Sequence, residues 1–256
     1  MLWNASAFNG YAIEASDGPL GTVSDLLFED VGWAIRWLVV DTGNWLPGRK
    51  VLLPLTALGQ PDRALRNFPV ALTMRQVEES PEIDTDQSVS RETEAQVYGH
   101  YGREPYWRSG SVPTGEATAT SSAGLLLPPE LTPFDPITVD TQSNVGDRHL
   151  RGIASVATCH VHATDGDIGH VTDLLVEDGN WHVRYITVDT MNWWPGEKVL
   201  ISPTSIREID WPHRSVQLDV DRQKVKDSPP YDASITVDGL YDERFLTYYG
   251  IEWVEA

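Results

Sequence analysis

Cysteine is almost absent from this sequence, as are the segments that direct a chain out of the cytoplasm. Cys159 is the single cysteine among 256 residues, so no disulfide can form within the chain. Such sparse use of cysteine is typical of a reducing compartment. The first residues carry neither a basic stretch nor a long apolar stretch, so we expect no signal peptide. We therefore predict a cytoplasmic protein.

Long apolar runs and an excess of basic residues are also missing. No stretch approaches the roughly twenty apolar residues that a membrane helix needs, so we expect no membrane insertion. The chain has 38 Asp and Glu against 19 Lys and Arg, a formal net charge of -19. This charge repels nucleic acids and anionic membranes, so we predict no nucleic-acid partner. A basic protein partner or a cation is left open.

The short motifs of common enzyme families are missing as well. The sequence contains no G-x-S-x-G, no G-x-x-x-x-G-K-[ST], no H-E-x-x-H and no Gly-rich dinucleotide fingerprint. Each of these motifs brings together the groups that its chemistry needs. We predict that the protein is not an enzyme and has no cofactor. An enzyme, with hydrolysis as the example of its chemistry, is the least favoured hypothesis.

The sequence does contain a duplicated segment. DTGNWLPGRKVLL at residues 41–53 returns as DTMNWWPGEKVLI at 189–201, an offset of 148. From residue 15 to residue 52, 22 of 38 positions are identical to their partners, with no gap. Two copies, each about a hundred residues long, indicate domains rather than solenoid units. The sequence predicts two domains, residues 1–108 and 153–256, joined by a Ser/Thr/Pro/Gly-rich linker at 109–152.

Short apolar segments separated by turn residues fill both copies. The first copy has GYAIEA, TVSDLLFED, WAIRWLVVD, KVLLP and a weaker segment in ALRNFPVALT, and the second repeats them from CHVHA to SVQLDV. Their β-branched and aromatic residues favour strands. TMRQVEES and SRETEAQVYGHYG read as short helices that begin at a Thr or Ser cap. We predict a mainly β chain with two small β-barrels, each followed by a short helical extension.

These residues resemble the PRC-barrel family. The pattern DGPLGTVSDLLFED…IRWLVVDTGNWLPGRKVLLP carries the resemblance, which covers residues 8–80 and 156–228. The tails look like the extension of many bacterial stand-alone members. The family's barrel forms the cytoplasmic domain of the photosynthetic reaction-centre H subunit and half of a ribosome-maturation factor. The resemblance implies a tandem PRC-barrel scaffold that binds another protein, with a role related to the H-subunit barrel as an alternative.

The repeated loop supplies the candidate partner-binding residues: Asn44, Trp45, Asn192, Trp193 and Trp194. As a binding loop, it would pack its indole rings on the partner. As a structural loop, it would use Asp and Asn side chains to cap the turn and Trp to cover its own barrel. Both interpretations stay open. Trp194 stands where the first copy has Leu46, so the copies differ at this point.

Histidines cluster in the second copy, and the candidate metal ligands among them are His160, His162 and His170. His160 and His162 share one face of a strand, and His170 lies across the predicted hairpin. Imidazole is a common ligand of zinc and nickel. The first copy has Ala12, Glu14 and Thr22 at these positions, so the fold does not require the histidines. We predict no metal cofactor and keep a metal- or cation-responsive protein as the second hypothesis.

Duplication also bears on assembly. A fused pair of related domains often retains the contact of an ancestral homodimer. We expect either a pseudo-symmetric contact between the two barrels or a homo-oligomer.

Overall fold

The computed structural model describes residues 2–83, 89–108, 148–190, 198–229, 231, 244–245 and 247–249. Over these residues the chain is mainly β, with two mixed sheets and few helices, which confirms the predicted class. The strands, in chain order, are β1 (Leu2–Asn4), β2 (Ala12–Ala15), β3 (Gly18–Glu29), β4 (Ala34–Asp41), β5 (Lys50–Pro54), β6 (Asn67–Pro69), β7 (Val89–Ser90), β8 (Arg148–Gly152), β9 (His160–Ala163), β10 (Gly166–Glu177), β11 (Val183–Asp189), β12 (Lys198–Ile201), β13 (Ile206–Asp210) and β14 (Ser215–Leu218).

The helices are short, and two of them begin at the caps that the sequence predicts. They are α1 (Met74–Glu78), α2 (Arg91–His100), α3 (Ile153–Val156) and α4 (Arg222–Lys226), with 3₁₀ turns at Ala5–Phe8, Leu55–Ala57, Tyr106–Arg108 and Pro203–Ser205. Thr73 caps α1 in a capping box with Gln76, and the Ser90 side chain accepts a hydrogen bond from the Thr93 backbone N–H in α2. These side chains satisfy backbone N–H groups that a helix start leaves without partners.

The two sheets share an order of five strands, and the second sheet has β13 in addition. In one sheet the strands run β5-β4-β3-β2-β6, and in the other β12-β11-β10-β9-β14-β13. Consecutive strands pair antiparallel, whereas β6 and β14 pair parallel with β2 and β9. Among the described residues, no hydrogen-bonded ladder joins the two ends of either order, so each path is open. Apolar side chains from the strands fill the core, of which Trp37, Phe28 and Tyr185 are among the largest that are fully buried.

Two short strands cross between the halves of the chain. β1 pairs antiparallel with the end of β10, where Leu2 lies opposite Glu177. β8 pairs antiparallel with the end of β3, where Leu150 lies opposite Glu29. Both ladders are related by the sequence offset, since 150 − 2 = 148 and 177 − 29 = 148. Each half therefore supplies a strand to the sheet of the other half.

The crossing strands were not predicted. The last five residues of the predicted linker form β8, and β1 precedes the first predicted strand. Both strands are too short to show a periodic pattern, and their ladder partners lie more than a hundred residues away. Strand β13 was also not predicted. The matching segment of the first half contains Pro61 and pairs only through isolated bridges, because Pro cannot donate a hydrogen bond to a ladder.

Candidate functional site

The loop after β4 is held by hydrogen bonds within itself. The Asp41 side chain accepts from the Gly43 backbone N–H at 2.8 Å, which is an Asx turn. The Thr42 hydroxyl lies 2.8 Å from the Leu46 carbonyl and 2.7 Å from the Arg49 carbonyl. Asp41 therefore caps the turn, as the structural interpretation of the repeat predicts, and the second side chain that bonds to the loop backbone is Thr42, where that interpretation named Asn.

Trp45 points back into its own half, while Asn44 faces solvent. The indole is half-buried against the core, and its Nε1 donates to the Leu20 carbonyl at 2.6 Å. Asn44 is exposed. This placement favours the structural interpretation for Trp45, whereas Asn44 is available at the rim of the loop. Partner binding by either residue stays a prediction.

The matching loop of the second half lies outside the described residues. Asn192, Trp193 and Trp194 fall in the range 191–197, so their placement adds nothing to the prediction. The loop's two ends are described, and Asp189 and Lys198 pair in register as Asp41 and Lys50 do. The loops of the two halves therefore begin and end at equivalent positions of the β4–β5 and β11–β12 ladders.

A glycine in the long strand of each half explains part of the repeat. A Cβ on Gly21 would lie 2.0 Å from the Asp41 carbonyl oxygen, and one on Gly169 would lie 1.8 Å from the Asp189 carbonyl oxygen. Both distances are far inside van der Waals contact, so only glycine lets the strand pass this close to the start of the loop. Part of the repeat is therefore explained by the close backbone approach between paired strands at these two glycines.

The structure brings together two of the three candidate metal ligands. His160 and His170 lie directly opposite each other in the β9–β10 ladder. His162 instead pairs with Asp167, with 2.5 Å between Nδ1 and Oδ1. Among the residues that the structure describes, no three His, Cys, Asp or Glu side chains are grouped closely enough to hold a metal ion as they stand.

The two halves meet around a point of local two-fold symmetry. Ala34 and His182, which occupy equivalent positions, form an isolated antiparallel bridge with each other. The residues beside them exchange backbone hydrogen bonds of 2.8 and 2.7 Å across this point: Ile35 N–H to the Trp181 carbonyl, and Val183 N–H to the Trp33 carbonyl. A residue that pairs with its own counterpart marks the axis of an isologous contact.

A pair of equivalent aspartates extends this symmetry. Asp173 accepts from the Ser6 backbone N–H at 3.1 Å, and Asp25 accepts from the Ala154 backbone N–H at 3.4 Å. Each carboxylate thus holds the short helical turn of the other half. Burial raises the pKa of Asp25, and the backbone hydrogen bond from Leu26 partly offsets this effect.

A third contact keeps its composition but exchanges its residues. The Arg63 guanidinium carbon lies 3.6 Å from the centre of the Trp3 ring, and Trp3 Nε1 donates to Asp178 at 3.3 Å. At the equivalent place, Arg151 lies 4.5 Å from the ring centre of Trp211, whose Nε1 donates to Asp30 at 3.1 Å. Trp and Arg have therefore changed places between the crossing strand and the turn that faces it, while the stacked pair and the aspartate persist.

His182 makes the two-fold contact chemically asymmetric. The ring is half-buried where the first half has Ala34. Burial lowers the pKa of His182, and the Arg36 and Arg184 guanidinium groups lower it further, while Glu177 and Glu29 oppose them. The sequence places His182 among the clustered histidines of the second copy, with Ala34 as its counterpart, but it did not predict this contact, because the contact depends on the opposite half.

A buried polar cluster links the helical tail of the first half to β8. Glu94 is fully buried; it accepts from Trp37 Nε1 at 2.8 Å and lies 3.0 Å from His149 Nε2. The second half has Tyr185 in place of Trp37. Burying a carboxyl group is costly unless it is hydrogen-bonded, so these partners stabilise Glu94 in the core. The sequence-based candidates did not include this cluster.

Comparisons with known proteins add no further evidence. No family model matches the chain, and a search of curated proteins found no match. Within the part of the chain that the structure describes, helices long and apolar enough to cross a membrane are absent.

Proposed function

We propose that the chain is a non-enzymatic tandem PRC-barrel protein that binds or scaffolds a protein partner in the cytoplasm. The duplicated motif supports the family, and the matching strand orders of the two sheets fit a pair of small barrels. In this proposal, bends at the shared register shifts of β3 and β10 curl each sheet around its core.

The reciprocal exchange of β1 and β8 carries the scaffolding proposal. Relative movement of the halves would break the ladder hydrogen bonds at both ends, as well as the backbone bonds around Ala34 and His182. A buried backbone group that loses its partner costs about 1–3 kcal/mol. A pair of related surfaces held at one angle suits a protein that positions its partners.

The partner contact is proposed at the outer rim of the repeated loop. Asn44 is exposed there, and the second half has Trp194 in place of Leu46. Tryptophan is enriched among the residues that dominate binding energy at protein interfaces. The net charge of -19 favours a partner with a basic surface.

Cross-linking followed by mass spectrometry tests this function. Full-length protein is cross-linked in native lysate as wild type, as an Asn44→Ala/Trp194→Ala variant, and as Leu65→Ala, a control that changes an apolar residue 71% exposed outside the loop. We expect a partner whose cross-links lie next to the loops and which only the double variant loses. Equal recovery of that partner by all three proteins would reject the loop as the binding site. If no partner is enriched over the recovery by an unrelated acidic protein, the scaffolding function is rejected. The role related to the H-subunit barrel stays a prediction of the resemblance.

A further inference from the structure

The outer face of β9 and β10 carries an imidazole pair that the first half lacks. His160 is exposed and His170 is half-exposed, while the neighbouring Cys159 and Val161 point into the core. The equivalent positions of the first half are Ala12 and Thr22, which pair in the same register. The pair is therefore an addition to the second half and not a requirement of the fold.

The hydrogen-bond pattern places the two histidines at the closest kind of cross-strand position. The His160 backbone N–H donates at 2.8 Å to the Arg214 carbonyl, which lies on the β14 side and away from β10. His160 and His170 therefore form a non-hydrogen-bonded pair of the antiparallel ladder. At such positions the Cβ atoms are about 4.5–5.5 Å apart, closer than at the alternating hydrogen-bonded positions.

We propose that His160 and His170 form a two-histidine chelate for a borderline divalent cation such as Ni²⁺, Zn²⁺ or Cu²⁺. Imidazole nitrogens bind such ions at about 2.0–2.1 Å, so two rings on adjacent strands can converge on one ion. Water completes the coordination. A site of two protein ligands agrees with the lack of any ready group of three among the described residues.

The surroundings favour a cation at this face. His162 lies two residues along β9 and pairs with Asp167, and Asp189 lies in register with His170. Carboxylates beside an imidazole pair attract positive charge. His162 is about 6.6–6.8 Å from His160 along the strand, farther than the cross-strand partner, so we assign it no ligand role.

Calorimetric titration with Ni²⁺ alone tests the site on the full chain without a histidine tag. We expect one ion per chain at pH 7.5. Because removing even an outer-shell partner of a metal ligand costs about 10–100-fold in affinity, His160→Ala and His170→Ala should each lose roughly tenfold or more. His162→Ala is the matched control on the same face and should bind Ni²⁺ with the affinity of the wild type, since His162 pairs with Asp167 and is not a ligand.

The first half offers a gain-of-function test. An Ala12→His/Thr22→His variant recreates the pair in the same ladder and should raise the stoichiometry from one ion to two. Thermal melting checks that each variant is folded. The proposal is overturned if the His160→Ala/His170→Ala protein binds Ni²⁺ as wild type does, if His162→Ala is more damaging than His170→Ala, or if the folded gain-of-function variant still binds a single ion.

Discussion

Exchanging Trp3 and Arg63 should test whether the contact between the halves is a true two-fold repeat. The second half already carries the exchanged arrangement, with Arg151 on the crossing strand and Trp211 stacked on it. A Trp3→Arg/Arg63→Trp variant would copy that arrangement into the first half. Asp178 is left in place to accept from either side chain.

The size of the effect follows from the contacts of Trp3. Trp3→Arg alone loses the stack on Phe8, whose ring centre is 5.0 Å away, and sets one guanidinium against another. An aromatic pair contributes about 0.5–1.5 kcal/mol and a cation–π stack about 0.5–1 kcal/mol, so the cost should be about 2 kcal/mol. Arg63→Trp alone should cost about 1 kcal/mol, the value of the lost cation–π stack.

The double variant should regain the cation–π stack and remove the repulsion between guanidinium groups. It does not regain the ring contact with Phe8. We expect a coupling energy of about 1–2 kcal/mol in a double-mutant cycle. The assay is urea unfolding followed by circular dichroism, since tryptophan fluorescence changes with the variants. The mirror exchange, Arg151→Trp with Trp211→Arg, serves as a control and should show coupling of the same sign. A coupling energy below about 0.5 kcal/mol in both cycles, the usual error of additivity, would refute the reasoning.

Three further predictions concern single positions. The pKa of His182 is lowered by burial and by the guanidinium groups beside it, so the unfolded chain takes up the proton more readily. The stability that the neutral His182 ring allows is thus present above its ordinary pKa of 6.5 and is lost as the pH falls through its lowered pKa in the folded protein. His182→Ala should therefore reduce the difference in unfolding free energy between pH 8 and pH 5. Glu94→Ala removes the acceptor of the buried Trp37 Nε1–H and the carboxyl group beside His149, and it should cost at least about 1–3 kcal/mol in urea unfolding; a loss below about 1 kcal/mol would contradict the pairing. Gly21→Ala should lower the melting temperature, because its Cβ meets a carbonyl oxygen at 2.0 Å, whereas Gly99→Ala, with open space in α2, should be neutral or stabilising by up to about 1 kcal/mol; the opposite ranking would reject the close approach.

Local sequence patterns were sufficient for the elements that depend on their own residues. WAIRWLVVD and KVLLP predicted strands that the structure has as β4 and β5, because their β-branched and aromatic residues suit a strand wherever it pairs. Thr73 and Ser90 predicted helix starts, because a cap acts on N–H groups within three residues. The mainly β class followed from these local signals.

The repeated loop shows which features could not be predicted from neighbouring residues alone. Its Asp, Thr, Pro and Gly predicted a turn, and the hydrogen bonds of Asp41 and Thr42 have that role. The direction of Trp45 could not be predicted, because it is set by the Leu20 carbonyl, twenty-five positions earlier in the chain. Likewise the pairing of His160 with His170 depended on a register that includes a bulge between Asp167 and Gly169.

By itself, the sequence determined the duplication, the acidic surface, the mainly β class and the turn chemistry of the loop, since each is a property of neighbouring residues or of composition. Only the tertiary structure decided that β1 and β8 pair with the opposite halves, that Ala34 meets His182, and that Trp3 and Arg151 are equivalent. The physical reason is that a ladder of two or three residues is too short to be stable by itself or to specify its partner strand. The partner is determined by the packing of the rest of the chain around it.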